Sequence, residues 1–302
     1  MCEEGDFSLL NLRANESESG LPPFSTRCTI GVVRFNRRIS EEADQNPGEN
    51  EMTRRIGVLN HKGGTGKTTT VVNLGAGLAL RGARVLCVDL DAQGSLATCL
   101  GVRYGRSLAE MLRGQAEPHA CVVRARENLD LIASDNSLLQ AEGELWRMND
   151  QRLARQILVD KIQHMEDRYD YVLLDFSPSA SILSESGLQY VRELIVPVSM
   201  SYMALIGTRQ VIATLKNIGR IPGHQVHLYL IIPTLYSGRI RQDREVLGIL
   251  QRHFADRVTE PIRANVKLTE APSHHMTVYE YSPRSAAAAD YKRLVERVLR
   301  DG

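Results

Sequence analysis

The sequence predicts an α/β fold with a doubly wound, mostly parallel sheet and helices on both faces, and three observations predict it. Short apolar runs alternate with helix-length segments along the chain. The runs are apolar almost throughout, as expected of parallel strands buried on both faces. A glycine-rich loop separates the first run from a helix pattern rich in small residues. The predicted strands are 55–59, 84–88, 169–175, 193–198 and 226–232, and the predicted helices include 71–80, 203–219, 240–253 and 286–300.

The composition is that of an ordinary globular protein. The chain has 302 residues, 37 Lys and Arg against 36 Asp and Glu, and 43% hydrophobic residues, which is enough to bury a sizeable core. No apolar run approaches the ~18 to 20 residues of a membrane-spanning helix, and acidic residues stand where a secretory signal carries basic ones. The five cysteines form no Cys-x-x-Cys pair. We therefore expect a cytoplasmic protein with reduced thiols.

Charge divides the chain after residue 51. Residues 1–51 contain 5 arginines and 10 acidic residues, whereas the remainder contains 32 basic and 26 acidic residues. The first segment is rich in Glu, Ser, Asn, Pro and Gly, and its apolar patch 28–33 is too short to build a domain. We expect residues 1–51 to be a disordered arm, or Met52 to be the true start of the protein, and both alternatives stay open. Residues 52–302 are predicted to form one domain.

Residues 60–70, Asn-His-Lys-Gly-Gly-Thr-Gly-Lys-Thr-Thr-Thr, connect the first predicted strand to the first predicted helix. This order of strand, glycine-rich loop and helix is typical of a phosphate-binding loop. The glycines let backbone N–H groups turn toward phosphate oxygens, and the helix N-terminus adds its positive dipole. Lys67 supplies a charge to the β- and γ-phosphates, Thr68 a hydroxyl to Mg²⁺, and Thr69 a hydrogen bond to a neighbouring phosphate. The predicted nucleotide-binding residues are Lys62, Gly63, Gly64, Thr65, Gly66, Lys67, Thr68 and Thr69.

The loop departs from the general pattern Gly-x-x-x-x-Gly-Lys-Ser/Thr, because His61 occupies the first glycine position and Lys62 follows it. The motif Lys-Gly-Gly-Thr-Gly-Lys-Thr resembles the deviant loop of the ParA/MinD family of dimerising ATPases. The resemblance implies ATP and Mg²⁺ as cofactors and a homodimer when ATP is bound. It also implies that Lys62 reaches the nucleotide of the partner subunit, as an arginine finger does, so that Lys62 and Lys67 are both catalytic.

Three carboxylates accompany predicted strands. Asp89 and Asp91 come two residues apart at the end of the strand 84–88, a spacing that places strand side chains on one face. The resemblance implies that Asp89 organises the water shell of Mg²⁺ and that Asp91 is the catalytic residue that orients the attacking water. Asp175 closes an apolar strand in the Walker B pattern and is predicted to hold Mg²⁺ through water. Ser177 stands where ParA-like chains usually have proline, from which we expect a difference in switching efficiency.

Pro233 and Thr234 follow the predicted strand 226–232. Ligands in open α/β sheets gather beyond the carboxyl ends of the strands. We therefore predict that the two residues line an adenine pocket, with an ordinary strand-ending turn as the alternative.

The C-terminal segments 261–273 and 281–300 resemble the chromosomal, Soj-type branch of the ParA family, so the resemblance covers residues 54–300. The match departs at His275, where that branch usually has glycine. The apolar side chains of the last predicted helix belong to the same matched block, and we expect them to pack on the domain.

The resemblance implies an ATP-dependent switch with slow basal turnover. Such a switch binds DNA nonspecifically as an ATP-closed dimer and partitions a chromosome, a plasmid or another cargo, while a ParB-like activator stimulates hydrolysis. The protein would then be cytoplasmic and associated with the nucleoid. Arg239, Lys267 and Arg263 are the predicted DNA-binding residues, because they match positions of the DNA-binding surface of this branch.

Four alternatives stay open. A MinD-like ATPase would bind a membrane through a basic amphipathic C-terminal helix, but we do not expect a membrane partner because the last helix belongs to the matched domain. An orphan ParA would place a protein cluster. A nitrogenase-reductase-like electron carrier shares the deviant loop but needs cysteines that bridge a cluster. A nucleotide-binding module without catalysis is disfavoured by the presence of Lys62, Lys67, Asp91 and Asp175.

Overall fold

The computed structural model describes residues 53–218 and 226–302, so the segment 1–51 and Met52 lie outside the described residues. Within these ranges the chain forms seven strands: β1 Arg54–Val58, β2 Val85–Leu90, β3 Val122–Arg126, β4 Leu129–Ile132, β5 Tyr171–Phe176, β6 Glu193–Ser199 and β7 His227–Thr234.

The strands form one sheet in the order β3-β4-β2-β5-β1-β6-β7. Every neighbouring pair is parallel except β3 and β4. This arrangement confirms the predicted doubly wound, mostly parallel sheet. The chain runs from β1 to strands on one side and later to β6 and β7 on the other. The loop after β1 therefore lies where the direction of winding reverses, which is the usual ligand position in open α/β sheets.

The antiparallel pair β3–β4 is the part of the sheet that the apolar pattern did not predict. β3 is an edge strand with no fully buried residue, and its sequence Val-Val-Arg-Ala-Arg carries two charges. An edge strand keeps only part of its surface away from water, so its apolar signal is weak. Asn128 in the connecting turn has a positive φ of 57°, which asparagine tolerates better than most residues.

The helices cover both faces of the sheet. Helices α3 to α8 pack on one face, and α1, α2, α10 and α11 pack on the other, each face with its own apolar cluster. None of the helices in the described ranges is both long and apolar enough to cross a bilayer. The helices are α1 Lys67–Ala79, α2 Ser95–Leu100, α3 Leu108–Leu112, α4 Ser137–Trp146, α5 Gln151–Ile162, α6 Ile182–Tyr190, α7 Tyr202–Ile218, α8 Arg241–Phe254, α9 Lys267–Ser273, α10 Val278–Tyr281 and α11 Ala286–Arg300.

The C-terminal helix α11 packs on α1, the helix that follows the glycine-rich loop. Tyr291, Leu294 and Val298 lie buried on its inner face. A Cβ atom built on Gly77 of α1 would come within 2.4 Å of Val295 Cγ2, so glycine at this position lets the two helices approach closely. The predicted packing of the last helix on the domain is confirmed. Its apolar face therefore packs against the rest of the domain.

His275 adopts a left-handed backbone conformation, with a φ of 56°. A residue with a side chain in this backbone conformation costs about 1 to 2 kcal/mol relative to glycine. Glycine is the usual residue at this position in the Soj-type branch. Two contacts offset the cost. The ring Nδ1 lies 2.9 Å from the carbonyl oxygen of Thr98, and the backbone carbonyl accepts a hydrogen bond from Arg126 Nη2 at 2.9 Å. The departure at His275 is thus accommodated by local hydrogen bonds.

Candidate nucleotide site

The glycine-rich loop lies between the end of β1 and the start of α1, near the middle of the sheet. In the strand register Val58 and Asp89 both pair with Asp175, one on each side of it. Because these three strands are parallel, the residues at their carboxyl ends meet at one edge of the sheet. The sheet therefore brings the loop and the carboxylates together from distant parts of the sequence.

The loop is open toward solvent at Gly63 and Gly64. Gly64 and Gly66 have φ values of 71° and 89°, which glycine adopts without strain. A Cβ built on Gly63 or Gly64 would meet no atom within 4 Å. Thr68 and Thr69 fall in the first turn of α1, which Gly66 caps. A helix N-terminus behind an open glycine-rich loop is an arrangement that binds phosphate.

Asn60 anchors the start of the loop. Its side-chain Nδ2 donates to the Pro197 carbonyl of β6 at 2.7 Å, and its Oδ1 accepts from the Lys62 N–H at 3.0 Å. The side chain is fully buried, and a Cβ on Gly207 of α7 would approach Oδ1 to 2.8 Å. Sequence reasoning missed this residue. Its signal is a polar side chain directly after an apolar strand, since buried polar groups need partners.

The side chains of Asp175 and Lys67 are both buried, and their opposite charges attract each other. Asp175 is 1% exposed, and neither carboxylate oxygen accepts a hydrogen bond of good geometry within the described residues, although the Thr68 hydroxyl lies beside it. Burial and the charge of Asp89 raise the pKa of Asp175 well above its ordinary value, while the Thr68 hydroxyl and the Lys67 ammonium oppose that shift. Burial lowers the pKa of Lys67, against the attraction of Asp175 and Asp91. An unpartnered buried carboxylate is costly, which makes Asp175 suited to hold a cation.

The surroundings of Asp175 fit a magnesium ion. Mg²⁺ takes oxygen ligands, keeps several waters, and is usually bound by one or two protein oxygens together with substrate phosphates. The Asp175 carboxylate and the Thr68 hydroxyl provide such oxygens next to the loop. The described residues contain no group of three or more His, Cys, Asp or Glu side chains able to hold a metal alone.

Asp89 lies deeper than its position in the sequence suggested, because it is inside β2 and fully buried rather than beyond the end of the strand. Its Oδ1 accepts the Asp91 N–H and its Oδ2 accepts the Leu96 N–H, each at 3.0 Å. Burial raises the pKa of Asp89 to about 7, although the two backbone bonds favour the charged form. Asp89 holds the turn that carries Asp91, and its part in the Mg²⁺ water shell stays a prediction.

Asp91 follows β2 and is half-buried. Its Oδ1 accepts the Gln93 N–H at 3.0 Å, and its backbone carbonyl accepts the Ser134 hydroxyl. Its Oδ2 accepts no hydrogen bond from any described residue, so it can accept one from water. Ser134 follows β4 and was not found from the sequence, because β4 itself was not predicted.

Lys62 is held by its own subunit. Its Nζ donates to the Ser201 hydroxyl at 3.0 Å, just before α7 begins. A hydrogen bond from a charged group contributes about 1.5 to 3 kcal/mol at most. The predicted reach of Lys62 toward a partner's nucleotide therefore requires this hydroxyl to be exchanged for phosphate oxygen. No partner subunit is present, and the catalytic role of Lys62 stays a prediction.

Pro233 and Thr234 are the last two residues of β7, which ends two residues later than predicted, and the chain turns at Leu235, whose φ is 54°. Their pairing with Val198 and Ser199 of β6 extends the strand. Proline is tolerated because β7 is an edge strand. The Thr234 hydroxyl donates to the Thr65 carbonyl at 2.8 Å, so it supports the phosphate-binding loop directly. The adenine pocket stays a prediction.

The predicted DNA-binding residues differ in their contacts. Arg239 is exposed and forms no ion pair with any described residue. Lys267 pairs with Glu270 at 2.7 Å, and both side chains are partly exposed. Arg263 binds the fully buried carboxylate of Asp290 at 2.6 Å, a contact that already commits its guanidinium.

Two of these residues lie on neighbouring segments. The backbone of Tyr236 bonds to Ile262 and Ala264, on either side of Arg263. Arg239 lies three residues beyond Tyr236, in the turn between β7 and α8. The fold therefore brings the turn of Arg239 and the segment of Arg263 together near the end of β7, the strand that contacts the phosphate-binding loop.

This fold and this site define a P-loop nucleoside triphosphatase with a deviant phosphate-binding loop. A family model described as an AAA domain matches residues 53–227. The chromosome-partitioning ATPase Soj of Thermus thermophilus is 38% identical over 247 residues, which cover 82% of this chain and 95% of that protein. The sporulation initiation inhibitor protein Soj of Bacillus subtilis is 32% identical over 83% of this chain and 100% of its own length. The chain belongs to the Soj/ParA family of chromosome-partitioning ATPases.

Solved structures with a similar fold contain nucleotide. Cobyrinic acid a,c-diamide synthase from Mycobacterium smegmatis, with bound ATP analog and magnesium, is 30% identical with a TM-score of 0.71, over 82% of this chain and 95% of that one. The septum site-determining protein MinD of Pyrococcus horikoshii, complexed with Mg-ADP, is 25% identical with a TM-score of 0.69, over 82% and 96%. The names of these two proteins imply different tasks. Their structures therefore inform the fold and the nucleotide site of this chain rather than its cellular role.

Proposed function

We propose that this protein is an ATP-hydrolysing switch that dimerises around ATP, binds DNA without sequence preference in that state, and partitions a chromosome, plasmid or other cargo. A ParB-like partner stimulates hydrolysis, and the protein is cytoplasmic and nucleoid-associated. The observation that carries the proposal is the buried carboxylate of Asp175, which accepts no hydrogen bond in the described part of the chain, beside Lys67 and Thr68. The relatives named as chromosome-partitioning ATPases direct the proposal toward partition.

ATP is proposed to bind with its phosphates on the glycine-rich loop and its adenine near Pro233 and Thr234. When bound, Mg²⁺ neutralises charge on the phosphate oxygens. The Thr68 hydroxyl and the Asp175 carboxylate are the groups that would hold the ion. Lys67 is 8% exposed, and a charge with so little water around it attracts phosphate more strongly than a solvated lysine would. The ATP analog, ADP and magnesium bound to relatives of similar fold support this assignment.

Hydrolysis is proposed to depend on Asp91 and on Lys62 of a second subunit. The Oδ2 of Asp91 is available to orient the attacking water, while Asp89 and Ser134 hold the backbone of Asp91 in place. Lys62 leaves Ser201 when the partner's phosphates come within reach. A switch that receives its second cation only from a partner turns over slowly as a monomer.

The loop and the basic surface are connected through β7. The Thr234 hydroxyl binds the Thr65 carbonyl of the loop, and two residues later the backbone of Tyr236 pairs with the segment of Arg263. A shift of the loop on ATP binding is thus passed to the turn that carries Arg239. This path supports DNA binding that depends on the nucleotide.

Arg239 is proposed to make the main phosphate contact, followed by Lys267. An exposed pair such as Lys267–Glu270 contributes little to stability, so the lysine exchanges its partner for a DNA phosphate at small cost. Arg263 is paired with the buried carboxylate of Asp290. It therefore contributes to DNA binding mainly by shaping the surface. Each phosphate neutralised lowers log K by about 0.9 per tenfold rise in salt.

The test is DNA association with ATP, with ADP and without nucleotide, at two salt concentrations, with Asp91→Ala to retain the ATP state. We expect salt-sensitive binding with ATP only, weakened by Arg239→Gln and unaffected by the control Arg152→Gln, an exposed arginine on α5. Equal binding in all three nucleotide states would refute the switch. Nucleotide-dependent binding to liposomes in place of DNA would favour a MinD-like role.

A further inference from the structure

A cavity lies away from the phosphate-binding loop, along the outer edge of the sheet. This arginine cavity has a volume of about 490 Å³, and its lining includes Arg84, His119, Arg124, Asp130, Arg168 and Tyr169. Arg84 and Arg168 stand just before β2 and β5, whereas the phosphate-binding loop follows the carboxyl end of β1. Strands of six residues are about 20 Å long, so the sheet separates the two sites.

The cavity contains more positive than negative charge. Arg84 is paired with Asp170 at 2.6 Å, and this pairing holds the pKa of Asp170 below its ordinary value. Arg124 and Arg168 form no ion pair with any residue in the described ranges, and both are exposed. Three guanidinium groups thus line one concave surface, two of them without a counter-ion.

One oxygen of the acidic side chain in the cavity already accepts a hydrogen bond. Asp130 lies opposite Arg124 in the register of β3 and β4, but its Oδ2 accepts the Tyr169 hydroxyl at 2.9 Å rather than a guanidinium. Tyr169 is itself buried, which fixes this contact. The carboxylate therefore orients the tyrosine and forms no ion pair with Arg124 or Arg168, although its negative charge remains in the cavity.

We propose that the arginine cavity is a binding site for a phosphate monoester group of a small phosphorylated ligand. Guanidinium groups bind phosphate in a planar, bidentate geometry. A phosphate monoester carries about 1.5 to 2 negative charges at neutral pH, enough to attract both unpaired arginines even with Asp130 in the cavity. A phosphate monoester also presents three acceptor oxygens to the two guanidinium groups, whereas a carboxylate or a DNA phosphodiester presents two. The volume is within the range of about 300 to 1,000 Å³ that small-molecule sites usually have.

The test uses inorganic phosphate as the probe and the full chain carrying Lys67→Ala, which weakens phosphate binding at the glycine-rich loop. Phosphorus NMR titration without Mg²⁺ measures the affinity. The double variant Arg124→Gln/Arg168→Gln should weaken binding by about tenfold or more. The matched control Arg103→Gln/Arg152→Gln removes two exposed arginines outside the cavity and should leave the affinity unchanged.

Three results would overturn the proposal: no saturable phosphate binding, equal loss in both double variants, or displacement of the bound phosphate by short duplex DNA at constant ionic strength. The last would mean that the cavity binds phosphodiester backbone. With Lys67 intact, Arg124→Gln/Arg168→Gln should retain ATP-dependent DNA association. A failure of this cavity is thereby distinguished from a failure of the switch.

Discussion

Replacing Asp175 by asparagine should stabilise the metal-free protein and abolish its ATP hydrolysis. The carboxylate is 1% exposed, accepts no hydrogen bond from the described residues and faces the charge of Asp89. A buried polar group without partners costs about 1 to 3 kcal/mol, and more when it is charged. Asparagine keeps the shape and removes the charge, so we expect a gain of about 1 to 3 kcal/mol in the free energy of unfolding at pH 8.

The gain should depend on pH with a defined sign. The pKa of Asp175 is raised in the folded state, so the folded protein binds this proton more tightly than the unfolded chain does. The stability of the parent protein then falls as pH rises above the ordinary aspartate pKa, by up to about 1.4 kcal/mol per pH unit, until the folded pKa is reached. The asparagine variant lacks this titration. Its advantage should grow from pH 5 toward pH 8.

Urea unfolding in EDTA without nucleotide measures the change in stability. Asp290→Asn is the control, because we expect it to lower the free energy of unfolding where Asp175→Asn raises it. Burial alone would raise the pKa of Asp290, but hydrogen bonds from Arg263 and Arg293 lower it. Its contribution is therefore present at neutral pH and lost as pH falls. Because the two guanidinium groups are 49% and 41% exposed, we expect Asp290→Asn to lose about 1 to 3 kcal/mol at pH 8, less than a fully buried pair. An Asp175→Asn gain that is absent, or equal at pH 6 and pH 8, would refute the reasoning.

Three further predictions concern catalysis, loop support and packing. Asp91→Ala should keep ATP-dependent DNA association but lose phosphate release, and normal turnover would exclude its role in orienting water. Thr234→Val removes the hydrogen bond to the phosphate-binding loop and should raise the KM for ATP, whereas Thr234→Ser should not, as steady-state kinetics would show. Gly77→Ala should destabilise by about 1 to 3 kcal/mol, because its Cβ would approach Val295 to 2.4 Å. Gly143→Ala in α4 meets only the tip of Arg147, at 3.6 Å, and should stabilise by about 0.5 to 1 kcal/mol, both changes measured by urea unfolding.

Much of the fold and the centre of the site could be predicted because their determinants are local. Strands buried on both faces are apolar along their whole length, so β2 and β5 stand out in the sequence. The glycine-rich loop is similarly explicit, since left-handed backbone at Gly64 and Gly66 requires glycine and phosphate chemistry requires Lys67 beside a hydroxyl. β3 was missed because an edge strand carries a weaker apolar signal, and β4 because its apolar run is only four residues long and contains Asp130.

The sequence by itself determined the fold class, the phosphate-binding loop and the identity of the acidic residues that accompany it. Only the tertiary structure decided how those groups are partnered. It places Asp89 against two backbone N–H groups, leaves Asp175 without a well-formed hydrogen bond, and pairs Arg263 with Asp290. The physical reason is that residue type and spacing are encoded along the chain, whereas burial and hydrogen-bond partners depend on segments that meet only when the sheet forms.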